Sequence, residues 1–225
     1  MNGPQSQDRE GVLAWLAARW AALPADPVAR VAVDGVDGAG KTTLADELAG
    51  RVRALGRPVI RVSTDGFHQP RAARYARGRT SPEGFYRDSY DLAALAREVL
   101  SPLSPGGTRR YRTSVFDVTR DEPVPGPALA AAPDSLLIVD GLFLHRPELR
   151  GWWHDSVFLR VPFAVSVPRG AARGPGFGSP DPAAASNRRY VAGNELYFHE
   201  ADPEAQAGVV LDYTDLTAPR VVTAR

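Results

Sequence analysis

Residues 35–42 read Gly-Val-Asp-Gly-Ala-Gly-Lys-Thr, which fits the spacing G-x-x-x-x-G-K-[ST]. Glycines in such a loop let successive backbone N–H groups turn inward around phosphate oxygens, and a helix opening at the lysine adds its partial positive end. A lysine ammonium is a compact charge that reaches the β- and γ-phosphates, where a planar guanidinium would not seat the same way. The threonine hydroxyl can ligate Mg²⁺. Composition sharpens the point: of 27 basic residues 26 are arginine, and the sole lysine is Lys41. An ammonium kept at one position of an arginine-rich chain is accounted for by that role. The expected nucleotide contacts are Gly35, Asp37, Gly38, Ala39, Gly40, Lys41, Thr42 and Thr43, with Asp37 also able to cap or brace the loop.

Two carboxylates stand where strands should end. Asp65 lies in Ser63-Thr64-Asp65-Gly66-Phe67-His68, and Asp140 closes the aliphatic run Leu136-Leu137-Ile138-Val139. In a parallel sheet the carboxyl ends of the strands line the ligand crevice. A carboxylate at Asp65 could orient an attacking hydroxyl and accept its proton, although an Asp before Gly is also a common turn former. Asp140 could hold Mg²⁺ directly or through water, together with Thr42. Asp88 could bond substrate hydroxyls or cap the helix that follows it. Of the four histidines, His68, His145, His154 and His199, only His68 falls near this chemistry, and their spacing speaks against zinc.

The elements that must position these groups are legible in outline. Residues 30–34 (RVAVD) form a short β-branched strand directly before the loop, and residues 42–54 look helical with Leu44, Leu48, Val52 and Leu55 on one face. Residues 58–62 form a second strand. Strand, helix and strand within about 30 residues make a βαβ unit, hence a parallel sheet with a right-handed crossover. An amphipathic helix over 8–23 precedes it. Residues 92–100 read as helix, 108–119 as a strand or hairpin, 135–140 and 157–161 as strands, 183–201 as helix, and 209–212 as a last short strand. The Gly- and Pro-rich residues 170–182 read as loop.

Length and composition exclude several classes. A chain of 225 residues suits one domain with an inserted lobe. The absence of cysteine removes disulfide scaffolds, thiolate metal sites and cysteine nucleophiles. A net charge of +1 is poor for a dedicated nucleic-acid binder. No apolar run approaches a bilayer span, and residues 1–10 carry no signal-peptide core, so a soluble cytoplasmic protein is expected. A guanine clamp Asn-Lys-x-Asp is impossible, because the single lysine is already used. That argues against a GTPase switch and favours a kinase over the larger mechanical ATPases. The arginines at 71, 74, 77 and 79 would suit an anionic acceptor, or would form a solvated strip.

Residues 33–43 (Val-Asp-Gly-Val-Asp-Gly-Ala-Gly-Lys-Thr-Thr) and Asp65-Gly66-Phe67-His68 together resemble the phosphate loop and catalytic-Asp segment of the uridine kinase, phosphoribulokinase and bacterial pantothenate kinase superfamily. By order and spacing the resemblance runs from about residue 30 to 212. It implies a three-layer α/β P-loop fold: a parallel sheet of about five strands flanked by helices, with a substrate-side lobe over 65–119 and a lid with its following helix over 164–200. It further implies that Asp65 and His68 adjoin the acceptor, that Asp88 is the nearest match to a ribose-binding Asp, and that Tyr111 and Phe116 flank a base on a substrate-side hairpin. Arg169 and Arg173 resemble lid arginines that close over the phosphates. The sequence departs from the family at Asp140, where uridine kinases usually carry Glu, at Phe116, where they more often carry His, and in the Gly/Pro-rich stretch after Arg173.

The expectation is an ATP- and Mg²⁺-dependent phosphotransferase acting on a small-molecule hydroxyl, a nucleoside first, with Lys41, Asp65, Arg169 and Arg173 carrying the chemistry. The alternatives are a non-nucleoside acceptor such as pantothenate or a sugar phosphate, and a regulatory protein that hydrolyses ATP slowly. No nucleic-acid or membrane partner is expected, and a homo-oligomer is left open.

Overall fold

The computed structural model describes residues 8–24, 27–174 and 178–225. Residues 1–7, and residues 175–177 of the Gly/Pro-rich loop, lie outside the described residues. In chain order the elements are α1 (Arg9–Ala21), β1 (Ala29–Gly35), α2 (Lys41–Ala54), β2 (Val59–Ser63), α3 (Arg71–Arg74), α4 (Pro82–Asp88) and α5 (Leu92–Leu95). Then come β3 (Arg110–Tyr111), β4 (Phe116–Asp117), β5 (Glu122–Pro123), β6 (Leu129–Ala130), β7 (Leu136–Gly141), β8 (Asp155–Arg160) and α6 (Phe163–Ala171). The chain closes with α7 (Arg188–Ala201), α8 (Pro203–Gln206), β9 (Val209–Asp212) and β10 (Arg220–Ala224).

The main sheet runs β10-β9-β8-β1-β7-β2, with β1 at its middle between β7 and β8. Its strands are parallel except β10, which pairs antiparallel with β9. Burial on both faces explains why β1 and β7 read as nearly unbroken apolar runs. Alternation sorts the side chains: Val31 and Val33 pack with Ile138, Leu159 and Leu211 under α1 and α2. The opposite face carries Ala32, Val62 and Val139 under α5, and an aromatic cluster of Phe85, Tyr86, Phe143, Phe158 and Tyr197. That same alternation puts Asp34 on the aromatic side, at zero exposure. No helix among the described residues is long and apolar enough to cross a membrane.

The α/β class, the parallel sheet and the leading βαβ unit match the sequence reading. Three expectations change. The sheet has a sixth strand, β10, whose residues RVVTA lie half-exposed at an edge and so carry no continuous apolar signal. The segment 108–119 is not a hairpin by itself: β4 pairs with β5, and β3 pairs with β6 outside them, so the unit is nested and reaches Ala130. Two-residue strands separated by loops are too short to show alternation. The helix expected from 183 starts at Arg188, because the preceding residues form turns tied by the Asn187 side chain to the carbonyls of Ser179 and Asp181.

Candidate active site

The phosphate loop leaves β1 at Gly35 and enters α2 at Lys41. Gly38 has φ +73°, and a Cβ there would overlap the Ser166 carbonyl oxygen of α6, so only glycine fits under that helix. Gly40 sits at the N-cap of α2 with φ +96° and offers no side-chain cap. The first-turn amides of α2 therefore keep their capacity for an anion. Lys41 Nζ donates to the Val36 carbonyl at 2.8 Å, which folds the ammonium over its own loop. Burial lowers the Lys41 pKa, and the carboxylates of Asp37, Asp34, Asp65 and Asp140 oppose that shift. A cradle of glycines, an uncapped helix start and one ammonium fit a triphosphate tail.

Asp140 arrives from the end of β7 with its side chain only 2% exposed. One carboxylate oxygen accepts from Thr42 Oγ1 at 2.6 Å, and the other accepts from Arg61 Nη2 at 2.8 Å. Arg61 also donates to Asp46 and to the Ile138 carbonyl, so its guanidinium is fixed along β2 and β7. This cation was not singled out by the sequence, since an arginine inside a strand looks like a solvated one. Asp65 follows β2 in a 3-10 turn capped by Ser63. No group of three or more acidic or histidine side chains that could hold a metal exists among the described residues. A hydroxyl beside one carboxylate still fits Mg²⁺, which commonly takes one or two protein oxygens and fills the rest with phosphate and water.

Two adjoining cavities meet at Asp37, Gly38, Asp65 and Arg173. The smaller, about 80 Å³, is walled by Lys41, Thr42, Asp140 and Tyr90. The larger, about 350 Å³, runs out between the loop, α6 and α7 along Ser166, Asn187 and Tyr190. Ser166 Oγ is buried there without a hydrogen-bond partner among the described residues. Tyr90 was likewise not foreseen. Its phenol is pushed well above the ordinary range, first by burial and then by the charges of Asp65 and Asp37, so it stays a proton donor. His68 stands behind it, ring centroids 4.6 Å apart, with Nδ1 3.0 Å from the Asp65 carbonyl. Burial lowers the His68 pKa.

Other expected residues are drawn elsewhere. Asp88 accepts from Arg77 Nε at 2.9 Å and lines neither cavity. Tyr111 is buried in the core beside α5, and Phe116 is buried in the nested hairpin; neither reaches a cavity wall. Arg169 turns away from the loop and donates to the carbonyls of Tyr213 and Thr214, whereas Arg173 lines both cavities. The arginine strip is mostly engaged: Arg74 bonds the Gln69 carbonyl and pairs with Asp121, Arg77 pairs with Asp88 and Glu83, and Arg79 lies over the Tyr75 ring.

Beneath the loop lies a polar network that sequence reading did not suggest. Asp34 Oδ1 accepts from the Gly35 amide at 2.7 Å. Its Oδ2 accepts from the amides of Leu144 and His145 at 3.0 and 3.2 Å, from His145 Nδ1 at 2.8 Å and from the Tyr197 hydroxyl. With Nδ1–H donating, His145 Nε2 accepts from Ser156 Oγ at 2.8 Å, and Ser156 in turn accepts from the Gly208 amide at 3.2 Å. The bonding order is that of a hydrolase triad, but Ser156 is buried and its oxygen is engaged by Gly208, so it is a brace and not a nucleophile.

No protein-family model matches the sequence, and no curated protein matches it either. Solved structures do. A possible uridine kinase from Bacillus stearothermophilus superposes with a TM-score of 0.69 at 21% identity, covering 88% of this chain and 96% of that one. A Silicibacter sp. TM1040 protein assigned as a fructose transport system kinase gives 0.64 at 26% identity, over 84% and 95% of the two chains. Phosphoribulokinase from Rhodobacter spheroides gives 0.54 at 16% identity, over 84% and 71%. The fold is that of the P-loop kinases. Within that class its structural neighbours are uridine kinase, phosphoribulokinase and related kinases, the group its loop and Asp65 segment resemble.

Proposed function

We propose that this protein transfers the γ-phosphoryl group of ATP to a hydroxyl of an uncharged small molecule, with a nucleoside as the leading candidate. The observation that carries the reading is the meeting of Asp65 with Lys41, Thr42 and Asp140 around one cavity. The acceptor oxygen attacks the γ-phosphorus while its proton passes to Asp65, and the bond from that phosphorus to the β,γ-bridging oxygen breaks to release ADP. Lys41 and the loop amides hold the β- and γ-phosphates. Arg173, without an ion pair or side-chain hydrogen bond among the described residues, is the lid cation that offsets charge on the transferring group. Thr42 and Asp140 would hold Mg²⁺, which would neutralise charge on the nucleotide phosphates when bound.

Electrostatics supports an uncharged acceptor. The walls of the larger cavity carry Asp37 and Asp65 against the single guanidinium of Arg173, and Arg74, Arg77 and Arg79 are engaged elsewhere. Arg189 is spent on the carbonyls of Arg74, Gly78 and Arg79. A sugar phosphate would thus meet two carboxylates with one cation to offset them. The test measures ADP release above the acceptor-free rate with nucleosides, pantothenate and sugar phosphates. Stimulation by a nucleoside, with Asp65→Asn cutting turnover at least 100-fold while ATP-analogue affinity stays within about threefold, is the expected result. Stimulation by sugar phosphates alone, or full turnover in Asp65→Asn, would overturn it.

A further inference from the structure

At the end of the sheet opposite the phosphate loop, where β8 begins, lies a second cavity of about 440 Å³. Its polar walls include Arg19, Arg150, His154, Asp155, Gln206 and Arg225, whose Nη1 is spent on the carbonyls of Glu204 and Ala207. The donors there outnumber the acceptors. Asp155 is the carboxylate, and both its oxygens are consumed. Oδ2 accepts from Arg19 Nε at 2.6 Å and from Trp20 Nε1 at 3.0 Å, and Oδ1 accepts from Arg19 Nη2 at 3.0 Å. Gly208 packs so closely on Oδ1 that a Cβ would overlap it. The main-chain oxygen of Arg225 is likewise taken, by Arg19 Nη2 at 2.8 Å.

What remains is donor capacity without partners. Arg19, its side chain 8% exposed, is held by Asp155, and its Nη1 is buried with no hydrogen-bond partner among the described residues. Arg150 is exposed and its guanidinium forms no ion pair or hydrogen bond among the described residues. His154 Nδ1 accepts from the Arg30 amide at 2.9 Å, which directs its other ring nitrogen to act as an N–H donor. Burial and the neighbouring Arg30 lower its pKa, so the ring serves as a neutral donor at pH 7.

We propose that this cleft at the foot of the sheet is a second binding site, for a small molecule bearing phosphate or carboxylate groups, distinct from the nucleotide site. The planar guanidinium fork of Arg150 matches the oxygens of either group, and His154 adds a neutral donor. The cleft volume suits a compact polyanion of metabolite size. Two of its walls, His145 and Ser156, belong to the network that braces the phosphate loop, so the two sites share a side-chain layer.

The experiment is calorimetry on the full chain, first saturated with a magnesium-bound, non-hydrolysable ATP analogue so that the phosphate loop is filled. Pyrophosphate and citrate are then titrated separately, which tells a phosphate-type from a carboxylate-type ligand. One further molecule per chain is expected for at least one probe, with affinity falling at least tenfold in Arg150→Gln and further in Arg150→Glu. The Arg150 side chain is exposed and makes no hydrogen bond or ion pair among the described residues, so both variants report on the cleft. The first titration separately reports on nucleotide binding. Absence of heat from both probes, or an affinity unmoved by Arg150→Glu, would overturn the proposal.

Discussion

Replacing Asp34 by Asn tests the brace beneath the phosphate loop. The carboxylate has zero exposure and collects five donors: the amides of Gly35, Leu144 and His145, His145 Nδ1–H and the Tyr197 hydroxyl. An Asn can keep its amide oxygen on the crowded Oδ2 side, but its NH₂ then faces the Gly35 N–H, donor against donor. An unsatisfied buried donor costs about 1–3 kcal/mol. The four remaining bonds change from charge-assisted to neutral, each weaker by up to about 1 kcal/mol, partly offset because no charge is then buried. A net loss of about 3 kcal/mol is expected, which for a chain of this size is a fall in Tm of about 6–12 °C. Urea unfolding gives the stability, and titration with the ATP analogue gives the loop, since Gly35 loses its anchor. A stability loss below about 1 kcal/mol with unchanged analogue affinity would refute the idea that Asp34 organises this layer.

Three further outcomes follow from the geometry. Gly38→Ala should weaken analogue binding and lower stability by about 1–2 kcal/mol from the positive φ alone, with added cost as α6 is lifted off the loop; calorimetry and urea unfolding check both. Arg61→Met should cost about 2–3 kcal/mol, below the value for a fully buried pair because Arg61 is 17% exposed, and adding Asp140→Asn should recover much of it; additive losses in the double variant would contradict the pairing. His154 and His68 both have folded-state pKa values pushed below 6.5, so the unfolded chain takes up protons first as the pH falls. Stability should therefore be flat above about pH 7 and decline from about pH 6.5 downward until the folded-state pKa values are passed, with a shallower decline in His154→Gln; urea midpoints between pH 5 and 8 measure this.

The sequence by itself determined what is local. Residues 35–42 carry their own chemistry, because the loop, the helix start and the lysine are contiguous and the backbone does most of the binding. Asp140 was legible because it closes an unbroken apolar run, and Asp65 because it follows the second strand of a βαβ unit; strand ends in a parallel sheet share one crevice. What the tertiary structure alone decided is partnership. Arg61 and Asp140 are 79 residues apart, Asp34 and Tyr197 are 163 apart, and Arg169 reaches the carbonyls of Tyr213 and Thr214, not the phosphate loop. An arginine or tyrosine has the same identity whether it faces water, a carboxylate or a ligand. Which of these it meets depends on sheet order and helix packing, and those are set by burial summed over the whole chain.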